Sequence, residues 1–204
     1  MQLARLALLL IGLVSWASTA EAHGGGSSSL NPGGLEIPSS SHGELVVLDG
    51  YYARIMALAD SAASTNAQFR KLANFARIQR YFCLWGLAPG AASDENSPFN
   101  QCTHAYLSAA KQVLISMRDM PGLSPRANEL MSDLDADMVR RGEMLIGCQY
   151  SSDVFFTTNF AGPNWDLLWQ HPKTLAAAAA PLAALTITGL TLAAPMRRKR
   201  TPAK

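Results

Sequence analysis

The chain has 204 residues, 49% of them hydrophobic, with three cysteines and 17 Lys+Arg against 15 Asp+Glu, enough for one modest core and with no charge excess that selects a partner. Setting aside Arg5, Glu21 and the five tail cations Arg197, Arg198, Lys199, Arg200 and Lys204 leaves 11 cations against 14 anions over residues 23 to 196. A nucleic-acid surface needs Lys and Arg gathered on one face, and these are scattered, so that class is excluded.

Residues 1–22 read as a signal peptide. Arg5 precedes an apolar run from Leu6 to Val14, too short to span a bilayer and of the length of a signal core. Ala20-Glu21-Ala22 supplies small side chains at the two positions a signal peptidase reads, which makes His23 the new N-terminus. Residues 23–43 are rich in Gly, Ser and Pro and bury too little apolar surface to offset their ordering entropy, so a flexible leader is expected there.

Residues 44–150 read as an all-α domain, a small antiparallel bundle or helical hairpin of three to four helices, without strands. Leu48, Tyr52, Ile55, Ala59 and Ala62 form one helical stripe, and Leu72, Phe75, Ile78, Phe82 and Trp85 a second. Ser64-Thr65-Asn66 offers a cap between them, although one long helix from 44 to 85 is equally compatible. Gly86 to Pro98 is a loop, and Ser97-Pro98 has the look of a cap followed by a first-turn proline. The third stripe is Leu107, Ala110, Leu114 and Met117, ended by Pro121-Gly122. The fourth helix starts at Ser124-Pro125, with the stripe Ala127, Met131, Leu134, Met138, Leu145 and Cys148 interrupted by Arg141. So short a turn makes the last two helices antiparallel neighbours.

Residues 151–173 form an aromatic segment before the anchor. Tyr150, Phe155, Phe156, Phe160, Trp165 and Trp169 lack helical periodicity and are the candidates for docking a protein partner or the membrane surface. Residues 174–196 read as one C-terminal transmembrane helix. The uncharged stretch Leu175 to Ala194 matches a bilayer core of about 30 Å at about 1.5 Å per residue. Arg197, Arg198, Lys199 and Arg200 flank it and hold residues 197–204 on the cytoplasmic side. The weak half is Ala176 to Pro181, where alanine is only mildly apolar and proline removes a donor. The basic ending disfavours a lipid-anchor signal, and a sorting-type signal keeps the right outline.

The cysteines and one histidine are the chemical feature. Cys83, Cys102 and Cys148 fall at the same end of an antiparallel bundle, with His104 two residues after Cys102. In an oxidising compartment the first expectation is a disulfide among Cys83, Cys102 and Cys148. Counting turns from Pro121-Gly122 places Cys148 past the level of Cys102 and favours Cys83 with Cys102. Three thiolates and an imidazole also describe a tetrahedral zinc site at Cys83, Cys102, His104 and Cys148, weakened by the lack of a closely spaced Cys pair. A mature N-terminal His23 offers a copper chelate, but in the wrong kind of scaffold.

Catalytic motifs fail. Ser108-Ala109-Ala110-Lys111 has the serine–lysine spacing of penicillin-binding enzymes without their companion motifs. Asp133, Asp135 and Asp137 outline a calcium loop, but Met138 and Met144 stand where Gly and Glu are required. Glu129, Asp133 and Asp137 lead instead to Arg141 along one solvated helix face. The leading expectation is a non-enzymatic, single-pass periplasmic protein of the cytoplasmic membrane, an adaptor subunit of a bacterial envelope assembly of secretion or conjugation type. The alternative is a metal-binding or redox protein built on the cysteine/histidine cluster. No cofactor other than zinc is implied, and no small-molecule substrate is specified.

Overall fold

The computed structural model describes residues 34–88, 90–143, 146–148, 150–177, 179–180 and 184–186. The expected signal peptide, the leader up to residue 33, much of the expected anchor and the flanking cations Arg197 to Arg200 lie outside the described residues. Among those described, no helix is long and apolar enough to cross a membrane.

Four helices make up the body, in keeping with the all-α expectation. Helix α1, His42–Asp60, starts where Ser41 Oγ accepts the Glu44 amide at 3.3 Å. Helix α2, Ala67–Phe82, starts at Asn66, whose Oδ1 accepts the Phe69 amide at 2.8 Å. A side-chain oxygen on an orphan amide is what opens a helix, so the chain breaks at the expected cap instead of continuing to residue 85. Helix α3 is Asn100–Met117 and helix α4 is Ser124–Arg141, with Pro125 in its first turn. Gly142, at φ +70°, ends α4 in the left-handed conformation that glycine adopts without penalty. The fourth stripe was expected to run on through Leu145 to Cys148. The helix stops seven residues short of Cys148, which therefore lies on a non-helical return.

Helix α3 is central. It packs along α2 and α1, and its Ala105, Ala109 and Ala110 permit close approach while Leu107, Val113, Leu114 and Met117 fill the core. Leu45, Leu48 and Ile55 of α1 and Phe69, Leu72 and Phe75 of α2 complete it. Helix α4 lies chiefly along α1 and only lightly on α3, despite the short turn joining them. The acidic row expected to be solvated explains this in part. Asp133 pairs with Arg54 of α1 at 2.9 Å, and Asp137 accepts from Tyr51 of α1 at 2.6 Å and pairs with Arg140.

The leader and the aromatic segment hold each other. Glu36–Ile37 (β1) pairs antiparallel with Phe155–Phe156 (β2), Ile37 opposite Phe155, both buried. Residues 34–41 are thus ordered by a two-residue ladder, where a strand-free flexible leader was expected. Two residues carry too little period to be read from sequence. The buried carboxamide of Gln79 adds a second fastening: it donates to Ala161 O at 2.6 Å and Cys102 O at 3.3 Å and accepts the Ala161 amide at 3.1 Å. Further on, residues 172–177 are helical, capped by His171, whose Nδ1 lies 3.3 Å from the Thr174 amide.

Candidate metal centre

Three elements meet at the N-terminal end of α1. His42 occupies its first turn, set there by the Ser41 cap, and is buried. His104 projects from α3 and is fully buried. Cys148 arrives on the return that follows Gly142 and is half-buried. The His42 and His104 rings lie 5.4 Å apart, tilted at 53°, with Tyr150 edge-on to His104 at 6.3 Å. One ligand atom from each of His42, His104 and Cys148 lies within 4.8 Å of the other two.

Local geometry holds the return in place. The Gly43 amide donates to Ile146 O at 3.0 Å, and a Cβ on Gly43 would stand 1.8 Å from Glu143 O, so only glycine lets the two segments close. Ser151 Oγ accepts two amides, that of Cys148 at 2.6 Å and that of His42 at 3.2 Å, and lies 3.5 Å from Cys148 Sγ, within reach for its hydroxyl to donate. One donor and two acceptors is the full capacity of a hydroxyl. Ser151 thereby ties the first histidine to the cysteine.

Three of the four imidazole nitrogens lack a hydrogen bond of ordinary geometry. Neither nitrogen of His104 has a hydrogen-bond partner, nor has Nδ1 of His42. The carbonyls of Tyr150 and Ala92 approach His104 without meeting bonding geometry. Burial, and next the neighbouring His42, lowers the His104 pKa to about 4, so at neutral pH the ring is uncharged with a lone pair free. An unpaired buried polar group costs about 1–3 kcal/mol, which a bond from the ring nitrogen to a metal ion would offset. A common metal ion places its ligands roughly 3.3–3.7 Å apart, from bond lengths near 2.0 Å to nitrogen and 2.3 Å to sulfur. Donor atoms within 4.8 Å of one another would close by at most about 1 Å to reach that spacing.

The expected quartet is divided. Cys83 and Cys102, both buried, form a disulfide with Cα atoms 5.8 Å apart, the pairing favoured by helix counting. Their sulfurs are spent, so the tetrahedral set Cys83, Cys102, His104 and Cys148 is not what the fold assembles. His104 and Cys148 do meet, and the third donor is His42. Sequence reading missed His42 because it fell in the presumed leader, although Ser41-His42-Gly43 directly ahead of the first stripe is a helix-start pattern.

The docking candidates separate as well. Phe155 belongs to the core, Phe156 is part-buried, and Tyr150 lies edge-on to His104. Phe160 stacks on Phe75 and Phe82 at 5.4 and 5.2 Å. Trp165 meets Phe99 edge-on at 5.8 Å yet stays 54% exposed, and Trp169 is 79% exposed. The second stripe continues outward: Ile78, Phe82 and Trp85 are exposed beside Tyr81, Leu84 and Leu87.

A polar cluster lies elsewhere. Asp94 Oδ2 meets Lys173 Nζ at 2.9 Å and His171 Nε2 at 3.2 Å, while His171 Nδ1 lies 2.7 Å from Thr174 Oγ1. The Lys173 and His171 bonds hold the Asp94 carboxyl at about 2. Thr174 is buried and engaged in capping, so this arrangement fastens the helical residues 172–177 to the 90–97 loop. Comparison with protein-family models, with curated proteins and with solved structures finds no match to this chain.

Proposed function

We propose that this protein binds a transition-metal ion through His42, His104 and Cys148, and that this centre is its working site. The observation that carries the reading is geometric: the fully buried His104 faces a second buried histidine and the free thiol, with one ligand atom from each within 4.8 Å of the other two. Two imidazoles and a thiolate favour zinc or copper over hard cations such as calcium and magnesium, which take oxygen ligands. Display outside the cytoplasm belongs to the same proposal and draws support from the Cys83–Cys102 disulfide, a bond that persists in oxidising compartments.

Metal content and melting temperature of the purified full chain test it. One zinc or copper ion per chain is expected, with a Tm that rises on loading and does not rise for Cys148→Ser. A wild-type chain that binds no stoichiometric metal, or a Cys148→Ser chain that binds it equally well, overturns the reading.

A second reading, an adaptor held at the membrane by residues 174–196, is favoured by the exposed apolar run of Ile78, Tyr81, Phe82, Leu84, Trp85 and Leu87 together with Trp165 and Trp169. Exposed apolar surface gathered in one place marks interaction sites. A photo-crosslinker at Leu87 or Trp169 is expected to trap one envelope protein that the same group at exposed Glu129 does not. Identical products from all three positions remove this reading.

A further inference from the structure

The donor set says more about the ion than its softness. Both imidazoles are neutral donors, and the only anionic ligand is the Cys148 thiolate. Among the described residues the ligand group contains no Asp or Glu. The carboxylate nearest along the chain, Glu44, is already matched by Lys111 at 2.7 Å. A divalent ion on this set leaves one uncompensated positive charge in a buried place, and charges taken from water without a partner are costly. A monovalent ion with one thiolate is neutral.

Ligand number is compatible with the same ion. Zinc takes four ligands, or three and an exchangeable water. Here three protein donors converge, two of them buried, with Tyr150 covering His104 and no further His, Cys, Asp or Glu completing the group among the described residues. Thiolate ligation suits cuprous copper as it also suits zinc, so charge balance is what separates the two.

Resting on the metal-binding reading above, we infer that the ion is Cu(I), held by one nitrogen of His42, one of His104 and the sulfur of Cys148. Binding forms two Cu–N bonds and one Cu–S bond and releases the thiol proton to solvent; copper stays monovalent and nothing is oxidised. The half-exposed Cys148 is the side from which the ion enters and leaves, since both histidines are closed off. Ser151 Oγ, 3.5 Å from Cys148 Sγ and bonded to the backbone of His42, is a positioning residue for this thiolate.

The test uses the full chain with its disulfide intact, titrated without oxygen with a Cu(I)–acetonitrile complex against a Cu(I) chelator, and separately with zinc. One Cu(I) per chain is expected, with one sulfur and two nitrogens in its X-ray absorption shell, retained in tenfold excess zinc. Cys148→Ser, at a half-exposed position that can change without emptying the core, is expected to lose at least a hundredfold in Cu(I) affinity. Ser151→Ala is expected to lose about 10–100-fold with the three donors still present in the shell. Zinc bound four-coordinate through His42, His104 and Cys148 and not displaced by equimolar Cu(I) overturns the cuprous assignment while the metal-binding reading stands. A copper shell lacking either imidazole overturns both the cuprous assignment and the ligand set of the metal-binding reading. If neither metal binds stoichiometrically, both fail.

Discussion

The rings of His42 and His104 lie 5.4 Å apart, brought together from the first turn of α1 and the second turn of α3. In a largely apolar core, a buried pair of polar rings is destabilising unless something binds it. The apo protein accordingly stands to gain stability from loading.

Gly43 tests the closure. Gly43→Ala places a methyl 1.8 Å from Glu143 O and must push back the return that carries Cys148. Metal affinity is expected to fall at least tenfold. Gly50→Ala on the same helix meets nothing within 4 Å and is expected to leave affinity unchanged while raising stability by about 0.5–1 kcal/mol. Equal metal titrations for the two variants count against the close approach.

Removing the disulfide separates framework from site. Cys83 and Cys102 are 19 residues apart, so Cys83→Ala with Cys102→Ala is expected to cost about 3 kcal/mol of unfolding free energy in the loop-entropy model. Urea denaturation reads this. One metal ion per chain is still expected below the transition, and its loss would mean that these cysteines, not Cys148, hold the ion.

Gln79 is the pin between α2 and the aromatic return. Gln79→Leu strips partners from the part-buried Ala161 amide and carbonyl and from the buried Cys102 carbonyl, an expected destabilisation of about 2–4 kcal/mol at roughly 1–3 kcal/mol per group with partial recovery by water. Hydrogen exchange at Ala161 is expected to accelerate more than at Leu114. Uniform acceleration across the chain would argue that Gln79 supports the whole fold and not this junction.

Asp94 sets an acid limit. Its folded pKa, about 2, lies below the ordinary 3.8 because Lys173 and then His171 stabilise the carboxylate. A depressed carboxylate stabilises the fold fully above 3.8 and loses that contribution as pH falls through about 2. Trp169 fluorescence followed from pH 5 to pH 2 is expected to report release of residues 165–177, with Asp94→Asn already partly released at pH 5. Coincident titrations of wild type and variant remove the clamp.

Periodicity and capping were legible in the chain itself. Asn66 and Pro125 act locally, and a helix stripe records which face meets the core whatever that core contains, so the all-α class and the loop after Gly86 followed from residues alone, while the number of helices and the Ser41 start did not. The same locality made Cys83 and Cys102 pairable, since both flank one loop. What lies between distant segments was not legible. Whether α4 rests on α3 or α1 depends on Tyr51 and Arg54 meeting Asp137 and Asp133, a match that no single stripe contains. The outward turn of Ile78, Phe82 and Trp85 breaks the assumption that an apolar stripe is a buried one. His42 became a ligand candidate only because Gly142 turns the chain back and Gly43 lets it close over α1. Sequence spacing reports neighbours along a helix, whereas this site is made from a helix start, a helix interior and a loop, and only tertiary packing sets their distance.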